Sequence, residues 1–339
     1  MGKIKLGING FGRIGRSAFK IAYERGDVEV IAINDSTNVD ALAYLLKYDS
    51  NYGVYHRDVA VSEGDLIIDG KPVKVINEPN PANIGWGNLG VDVVLESSER
   101  FVSRDEATQH LSGIAKKVVI AWPNNDDGVS TIVLGANEDG LSGGNAIISN
   151  ASATTNALGA VLSVLDDEFG VQKSLITSIH SNTSSQSLVD LPNIHNFREG
   201  RAAAENIIPS TTSAPDVLAH TLPQLAGKVD GLSIKVPVSA VSLADLTVVL
   251  GRPTSVSEVN DVIIKASEQP YYQGIIGINN QPLVSRDFIG NSHSGIVDLN
   301  LTKVVDGNLA KIMVWYDNEW GYCNRLVELL VDSARNSNN

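Results

Sequence analysis

The chain has 339 residues, 43% hydrophobic and 19% charged, with a net charge of −13 and a single cysteine. That length suits two domains, that composition a soluble globular protein, and the acidity argues against a general nucleic-acid or membrane-surface binder, which needs a basic face. No apolar run approaches a transmembrane span, no signal-peptide layout precedes Ile4, Lys3 and Leu6 fit a myristoylation signal at Gly2 poorly, and Cys323 has no intramolecular partner, so a cytoplasmic location is expected.

An apolar run predicts a strand over 4–8, followed at once by Gly10-Phe11-Gly12-Arg13-Ile14-Gly15 and a helix over 16–25. A second strand over 28–33 ends in Asn34-Asp35. GxGxxG with a strand before it, a helix after it and an acid closing the next strand is a dinucleotide-binding signature. Gly10 permits the tight turn, Gly12 lets the backbone approach a pyrophosphate, and Gly15 lets helix and strand pack closely. The helix N-terminus offers N–H groups and partial positive charge to phosphates. Asp35 can accept from both ribose hydroxyls and would repel a 2′-phosphate, which favours NAD over NADP.

Further strands are predicted over 91–96, 117–121, 131–134 and 146–149, with a helix over 104–111 between two of them. This alternation implies an α/β fold, a Rossmann doubly wound parallel sheet whose ligand sits at the carboxyl ends of the strands. Asp35, Ser97-Ser98-Glu99, Ala121-Trp122 and Ser149-Asn150 lie at such ends.

The second half reads differently. A helix is predicted over 154–169 and a strand over 174–180 ending in His180. Val- and Ile-rich strands follow over 232–238, 244–250, 295–298 and 309–316. They suit an α+β domain with a mixed or antiparallel sheet and helices on one face. The Asn-Ser-Asn-Asn tail, 336–339, is expected to fray. Between the halves, SNASATTNALGA (149–160) has the layout of a nucleophile loop with Ala153 where the nucleophile would stand.

INGFGRIGR, SNASATTN, the HSxTxxQ pattern at His180, RAAAENIIP at Arg201 and WYDNEWGY at Trp315 follow one another in that order. With these motifs the chain resembles phosphorylating glyceraldehyde-3-phosphate dehydrogenases along nearly its whole length. The resemblance implies an NAD-binding Rossmann domain over 1–150, completed by a C-terminal helix over 318–336, a catalytic domain over 151–317, and a homotetramer. It implies NAD as cofactor and no metal. In the family a cysteine thiolate attacks the aldehyde, a histidine assists, hydride passes to NAD, and the acyl-thioester is phosphorolysed. Gly10, Gly12, Arg13, Ile14 and Asp35 match the cofactor site, and Asn318 and Tyr322 the residues beside the nicotinamide. Leu191 and Pro192 match a loop that reaches a neighbouring subunit's cofactor. His180 matches the catalytic histidine and Thr183 a substrate-phosphate ligand. Ser152, Thr154, Thr212, Ser213, Lys235 and Glu199 fall at the substrate and anion sites.

The departures gather around the chemistry. Ala153 stands where the resemblance puts the cysteine, and a methyl group is no nucleophile. Ala157 replaces a second, non-catalytic cysteine. Lys235 replaces an arginine, keeping the charge without the two-pronged grip. Glu199 falls where an arginine binds inorganic phosphate, and Ser213 replaces a glycine nearby. Trp122 replaces a small residue near the nicotinamide ribose, Glu99 a glycine, and Asn182 a tyrosine. Cys323, where serine is common, is expected to be structural.

Three readings stay open from sequence. The first is an NAD-binding homologue with altered chemistry. In it His180 acts as acid or base in a non-acylating hydride transfer on a small anionic or phosphorylated aldehyde or alcohol. The second is a non-catalytic NAD-binding homologue with a regulatory or assembly role. The third is an engineered Cys→Ala variant of an authentic dehydrogenase.

Overall fold

The computed structural model of the chain describes residues 2–101, 103–111 and 115–336. The last three residues of the tail expected to fray lie outside them. The chain forms two compact units. Unit 1 holds Met1–Ile132, Asp139–Ala151 and Cys323–Asn339, and unit 2 holds Val133–Glu138 and Ser152–Tyr322.

Unit 1 opens with β1 (Ile4–Asn9), α1 (Arg13–Glu24), β2 (Val28–Asn34) and α2 (Val39–Lys47). A small ribbon, β3 (Tyr48–Asp49) and β4 (Gly53–Val54), precedes β5 (Val59–Ser62), β6 (Asp65–Ile68) and β7 (Lys71–Ile76). Then come β8 (Val93–Glu96), α3 (Arg104–Thr108), β9 (Lys117–Ile120), β10 (Val129–Thr131) and β11 (Ile147–Ser149). The sheet order is β10-β11-β9-β8-β1-β2-β7-β6-β5. It is parallel from β10 to β7 and antiparallel at β6 and β5. The order reverses at β1, with β2 on one side and β8 on the other, which opens the crevice where such sheets bind ligands. β8 and β9 are buried along their whole length, as strands covered on both faces must be. Trp86, fully buried, packs with Val91, Val94, Val118, Ile120 and Ile147 on one side of this sheet.

Unit 2 is built on α4 (Ala153–Phe169), β12 (Val171–His180), β13 (Ile208–Ser210), α5 (Ala214–Thr221), β14 (Val229–Lys235) and β15 (Ser242–Leu250). α6 (Val256–Ser267), β16 (Ile276–Asn279), β17 (Gly295–Asp298), β18 (Lys303–Val305) and β19 (Leu309–Tyr316) complete it. The sheet runs β13-β14-β12-β15-β19-β17-β16, with β18 on β19. β12 pairs parallel with β14 and antiparallel with β15, so the sheet is mixed. Burial alternates residue by residue along β15, the mark of a sheet with one covered face. α4, buried on most of its surface, packs against β12, β15, β17 and β19 and against α5 and α6. The final helix, α7 (Trp320–Asn336), contributes Cys323 onward to unit 1.

Five expectations are corrected. The strand predicted over 232–238 is β14, which ends at Lys235, and the C-terminal helix predicted over 318–336 starts at Trp320. The strand predicted over 131–134 is β10, which ends at Thr131. Side-chain oxygens of Asn137 and Glu138 take the N–H groups of Val133 and Gly135, and this bends the chain into a turn. The helix predicted over 104–111 ends at Thr108, because Gln109 and His110 bond back three residues instead of four. α1 starts at Arg13, three residues early, with Gly12 as its N-cap.

Candidate active site

The dinucleotide turn is held from below by strand-end side chains. Gly10 has φ +88°, and a Cβ there would lie 2.5 Å from the Ser98 backbone. A Cβ on Gly15 would lie 2.1 Å from the Gly10 carbonyl oxygen, whereas one on Gly12 meets nothing within 4 Å. Gly12 therefore faces open space at the head of α1, where no side chain caps the first turn. A helix start of this kind carries partial positive charge that suits an anion. Asp35 Oδ2 accepts from Phe11 N at 2.7 Å and Oδ1 from Thr37 N at 2.9 Å. The carboxylate so braced keeps lone pairs for a ribose diol. An uncapped helix start, a turn only glycine can make and an acid at the end of β2 together fit NAD.

Beneath the turn lies a buried network that the sequence reading missed. Glu96 accepts from Asn9 Nδ2 (2.6 Å), Ser98 N (2.7 Å) and Ser98 Oγ (2.5 Å), and pairs with His110 Nε2 at 2.8 Å. Trp86 Nε1 donates to His110 Nδ1 at 3.0 Å. An indole nitrogen only donates, so Nδ1 accepts, Nε2 carries the proton, and His110 is neutral against the Glu96 carboxylate. Ser97 Oγ donates to the Gly10 carbonyl at 2.8 Å, which completes the support.

Two residues that the sequence resemblance marks as departures follow the carboxyl ends of interior strands, Glu99 after β8 and Trp122 after β9. Trp122 is 46% exposed, and its carbonyl accepts from Ser149 Oγ. Glu99 is exposed at φ +62°, a left-handed backbone that suits glycine better than glutamate. Cys323 is fully buried, its thiol 3.5 Å from the Ile14 carbonyl.

In unit 2, Ala153 is the first residue of α4, partly exposed behind N-cap Ser152. Ser152 Oγ accepts from Thr155 N at 3.0 Å, and Thr154 Oγ1 bonds Tyr316 OH at 2.9 Å. These two hydroxyls, expected at the substrate and anion sites, thus serve the helix cap and the core. Tyr316 OH also bonds Ser178 Oγ at 2.8 Å, and its ring meets His180 edge-on at 6.2 Å. One buried tyrosine therefore ties the start of α4 to the end of β12. Burial raises its hydroxyl pKa, keeping it a neutral donor and acceptor. No local pattern marked Tyr316 or Ser178, because their partners are distant in sequence.

His180 Nδ1 lies 2.7 Å from the Ser181 carbonyl. A carbonyl only accepts, so Nδ1 carries the proton, and in the neutral form of the ring Nε2 is the basic nitrogen. Asn318 is buried, its Oδ1 accepting from Ser181 Oγ (2.8 Å), Val241 N (3.1 Å) and Ser242 Oγ (3.3 Å). These bonds turn the amide nitrogen the other way. Val241, whose N–H makes one of these bonds, has φ +70°, a conformation costly for a β-branched residue. Tyr322 is buried.

Lys235, Thr183 and Glu199 come together. Lys235 Nζ is 3.0 Å from Thr183 Oγ1, 3.5 Å from Ser185 Oγ and 3.4 Å from Glu199 Oε1. Ser210 Oγ also donates to Glu199 Oε1. The lysine expected to hold an anion therefore already has one. Thr212 Oγ1 accepts from Ala214 N, and Ser213 is the N-cap of α5 without a side-chain cap bond. Leu191 is exposed on the segment after β12, its N–H bonded to the Gly200 carbonyl.

Two family descriptions match the chain: "Glyceraldehyde 3-phosphate dehydrogenase, NAD binding domain" over residues 4–104 and "Glyceraldehyde 3-phosphate dehydrogenase, C-terminal domain" over residues 152–318. The chain is 44% identical to glyceraldehyde-3-phosphate dehydrogenase 1 of Bacillus cereus over 326 residues, 96% of this chain and 97% of that one. It is 44% identical to the Geobacillus stearothermophilus glyceraldehyde-3-phosphate dehydrogenase over 327 residues, with the same shares covered. It is 46% identical to the Streptomyces coelicolor glyceraldehyde-3-phosphate dehydrogenase over 330 residues, 97% of this chain and 98% of that one. Together with the glycine turn and Asp35, these matches make NAD the cofactor. The chain belongs to the glyceraldehyde-3-phosphate dehydrogenase family of NAD-dependent oxidoreductases.

Proposed function

We propose that this chain binds NAD(H) and lacks the thiol-dependent acylating step of its family. Ala153 carries the reading: it occupies the head of α4, where the resemblance places the nucleophilic cysteine, and a methyl group cannot form a thioester. The surroundings of a reactive centre persist. The N-terminus of α4 still offers partial positive charge, and His180 still presents Nε2 as a base. Bound NAD supplies the hydride donor or acceptor. His180 then takes or gives the proton at the oxygen of an aldehyde, ketone or alcohol, a conversion that needs no covalent intermediate. The Nδ2 donors of Asn318 suit a carboxamide oxygen, and Thr183 with Lys235 suits the far end of a small substrate.

Exposed Trp122 supports a second reading, a non-catalytic homologue whose nicotinamide site is closed. Calorimetry with NADH and ADP-ribose separates the two. Clearly tighter NADH binding supports the first, and equal affinities refute it in favour of the second. A cytoplasmic homotetramer goes with either reading. It is supported by exposed Leu188, Leu191, Ile194 and Phe197 on one segment, and light scattering at the mass of a monomer would refute it.

A further inference from the structure

We propose that Lys235 and Glu199 form a neutral, hydroxyl-binding clasp. It selects an unphosphorylated, polyhydroxylated end on the molecule that meets His180, and Glu199 excludes phosphate from that place. This deepens, and rests on, the reading of His180 as acid or base.

The two charged side chains are only 12% and 18% exposed, and three hydroxyls surround them: Thr183 and Ser185 on the lysine, Ser210 on the glutamate. A phosphate bound here would have to draw Lys235 away from Glu199. That would leave a shielded carboxylate without its cation and beside a dianion, a doubly unfavourable exchange. An amine-bearing end fails for the mirror reason, since it would face the Lys235 ammonium. A vicinal diol asks for neither rearrangement. The three ammonium hydrogens stay on Glu199, Thr183 and Ser185, so the ligand's hydroxyls donate to the carboxylate and accept from whichever of the mutually bonded Thr183 and Ser185 hydroxyls keeps its proton free, and the pair stays intact. In this proposal a neutral polyol end replaces the expected anionic or phosphorylated substrate.

The clasp also stands in the right place. His180 and Lys235 are direct register partners in the parallel β12–β14 pair. Their side chains leave the sheet on the same face, from strands about 4.8 Å apart. One short-chain hydroxyaldehyde or polyol can meet both.

The test uses the full-length protein, with inorganic phosphate followed by phosphorus NMR and erythritol by saturation-transfer NMR. The variants are Glu199→Gln and Lys235→Gln, with circular dichroism as the folding control. Phosphate affinity is expected to rise at least tenfold in Glu199→Gln. Erythritol saturation transfer is expected in the wild type and at least threefold weaker in both variants. Equal phosphate affinity in wild type and Glu199→Gln, or unchanged erythritol transfer, would overturn the proposal. If a variant fails to fold, the wild type still decides. Erythritol transfer that persists with phosphate in equal concentration supports the clasp, and displacement by phosphate sinks it. The NADH and ADP-ribose comparison is read separately, so loss of the dehydrogenase reading would not be mistaken for loss of the clasp.

Discussion

Replacing Glu96 by glutamine tests how the dinucleotide turn is held. The carboxylate receives bonds from Asn9 Nδ2, Ser98 N, Ser98 Oγ and His110 Nε2, all in a site where Glu96 is 1% exposed. A glutamine must put an NH2 group where one of the oxygens was. At Oε2 it would face Asn9 Nδ2 and His110 Nε2–H. Neither can reverse: Asn9 Oδ1 is engaged by Asn34 Nδ2, and the opposite His110 tautomer would set Nδ1–H against the Trp86 N–H. At Oε1 the Ser98 hydroxyl can turn, but the Ser98 N–H cannot. The less costly orientation thus orphans one buried N–H, about 1–3 kcal/mol, and removes the charge assistance from the remaining bonds. A loss of about 2–4 kcal/mol is expected in urea denaturation, offset in part by the easier burial of a neutral group. Ser98 backs Gly10 directly, so NADH affinity should fall by about tenfold, or ~1.4 kcal/mol. Imidazole nitrogen shifts in the wild type should show Nδ1 of His110 as the unprotonated nitrogen. A loss below about 0.5 kcal/mol with unchanged NADH affinity would refute the reasoning, because surface-like changes are of that size.

Ala153→Cys should give a thiol that iodoacetamide alkylates, yet adding Glu199→Arg should raise kcat/KM with glyceraldehyde 3-phosphate a further tenfold or more, about 1.4 kcal/mol; full family activity from Ala153→Cys alone would refute the weight given to Glu199. Tyr316→Phe leaves Thr154 and Ser178 without their shared partner and should cost about 1–3 kcal/mol in chemical denaturation, with no effect expected only if those hydroxyls re-pair. Asp332 has its carboxyl pKa raised, first by burial and then by Glu328, against the opposing pull of Arg335 and Arg25. A raised folded-state value means that stability falls as pH rises from the ordinary carboxyl range through that value. Asp332→Asn should therefore stabilise by about 0.5 kcal/mol at pH 7, discounted for partial solvation, and by nothing in acid; an equal gain at both pH values would contradict the assignment.

The first unit was legible because its signal is local. A strand, GxGxxG, a helix and an acid occupy 32 consecutive residues, Ile4 to Asp35, and each constrains the next. The error at 131–134 is local too. An apolar run read as strand is bent by Asn137 and Glu138, whose side chains compete for the backbone N–H groups. The second unit was legible as a class, a mixed sheet with helices, but not in its site contacts. Tyr316 joins residues 162 and 138 positions away, and nothing in the sequence near it announces either bond. Glu199 and Lys235 were each read by charge alone, one repelling phosphate and one holding it weakly. Their contact turns two separate effects into one neutral group.

That contrast bears on the residues that the sequence resemblance marks as departures. Ser152, Thr154, Ser178, Tyr316 and Asn318 have buried or cap hydrogen bonds whose loss costs stability, whatever the protein catalyses. Ala153 is partly exposed, Glu99 exposed and Trp122 half exposed; side chains at such places can change with little effect on folding. Lys235 and Glu199 are the informative exception, since each would be costly alone in a shielded place and the two are tolerable together. A scaffold released from its thiol chemistry would keep the first group by folding stability alone, and drift at the second. It would not by drift acquire a matched ion pair with a hydroxyl on each partner. The clasp rests on that pair, and the Glu199→Gln variant separates a ligand-binding role from mutual neutralisation of two shielded charges.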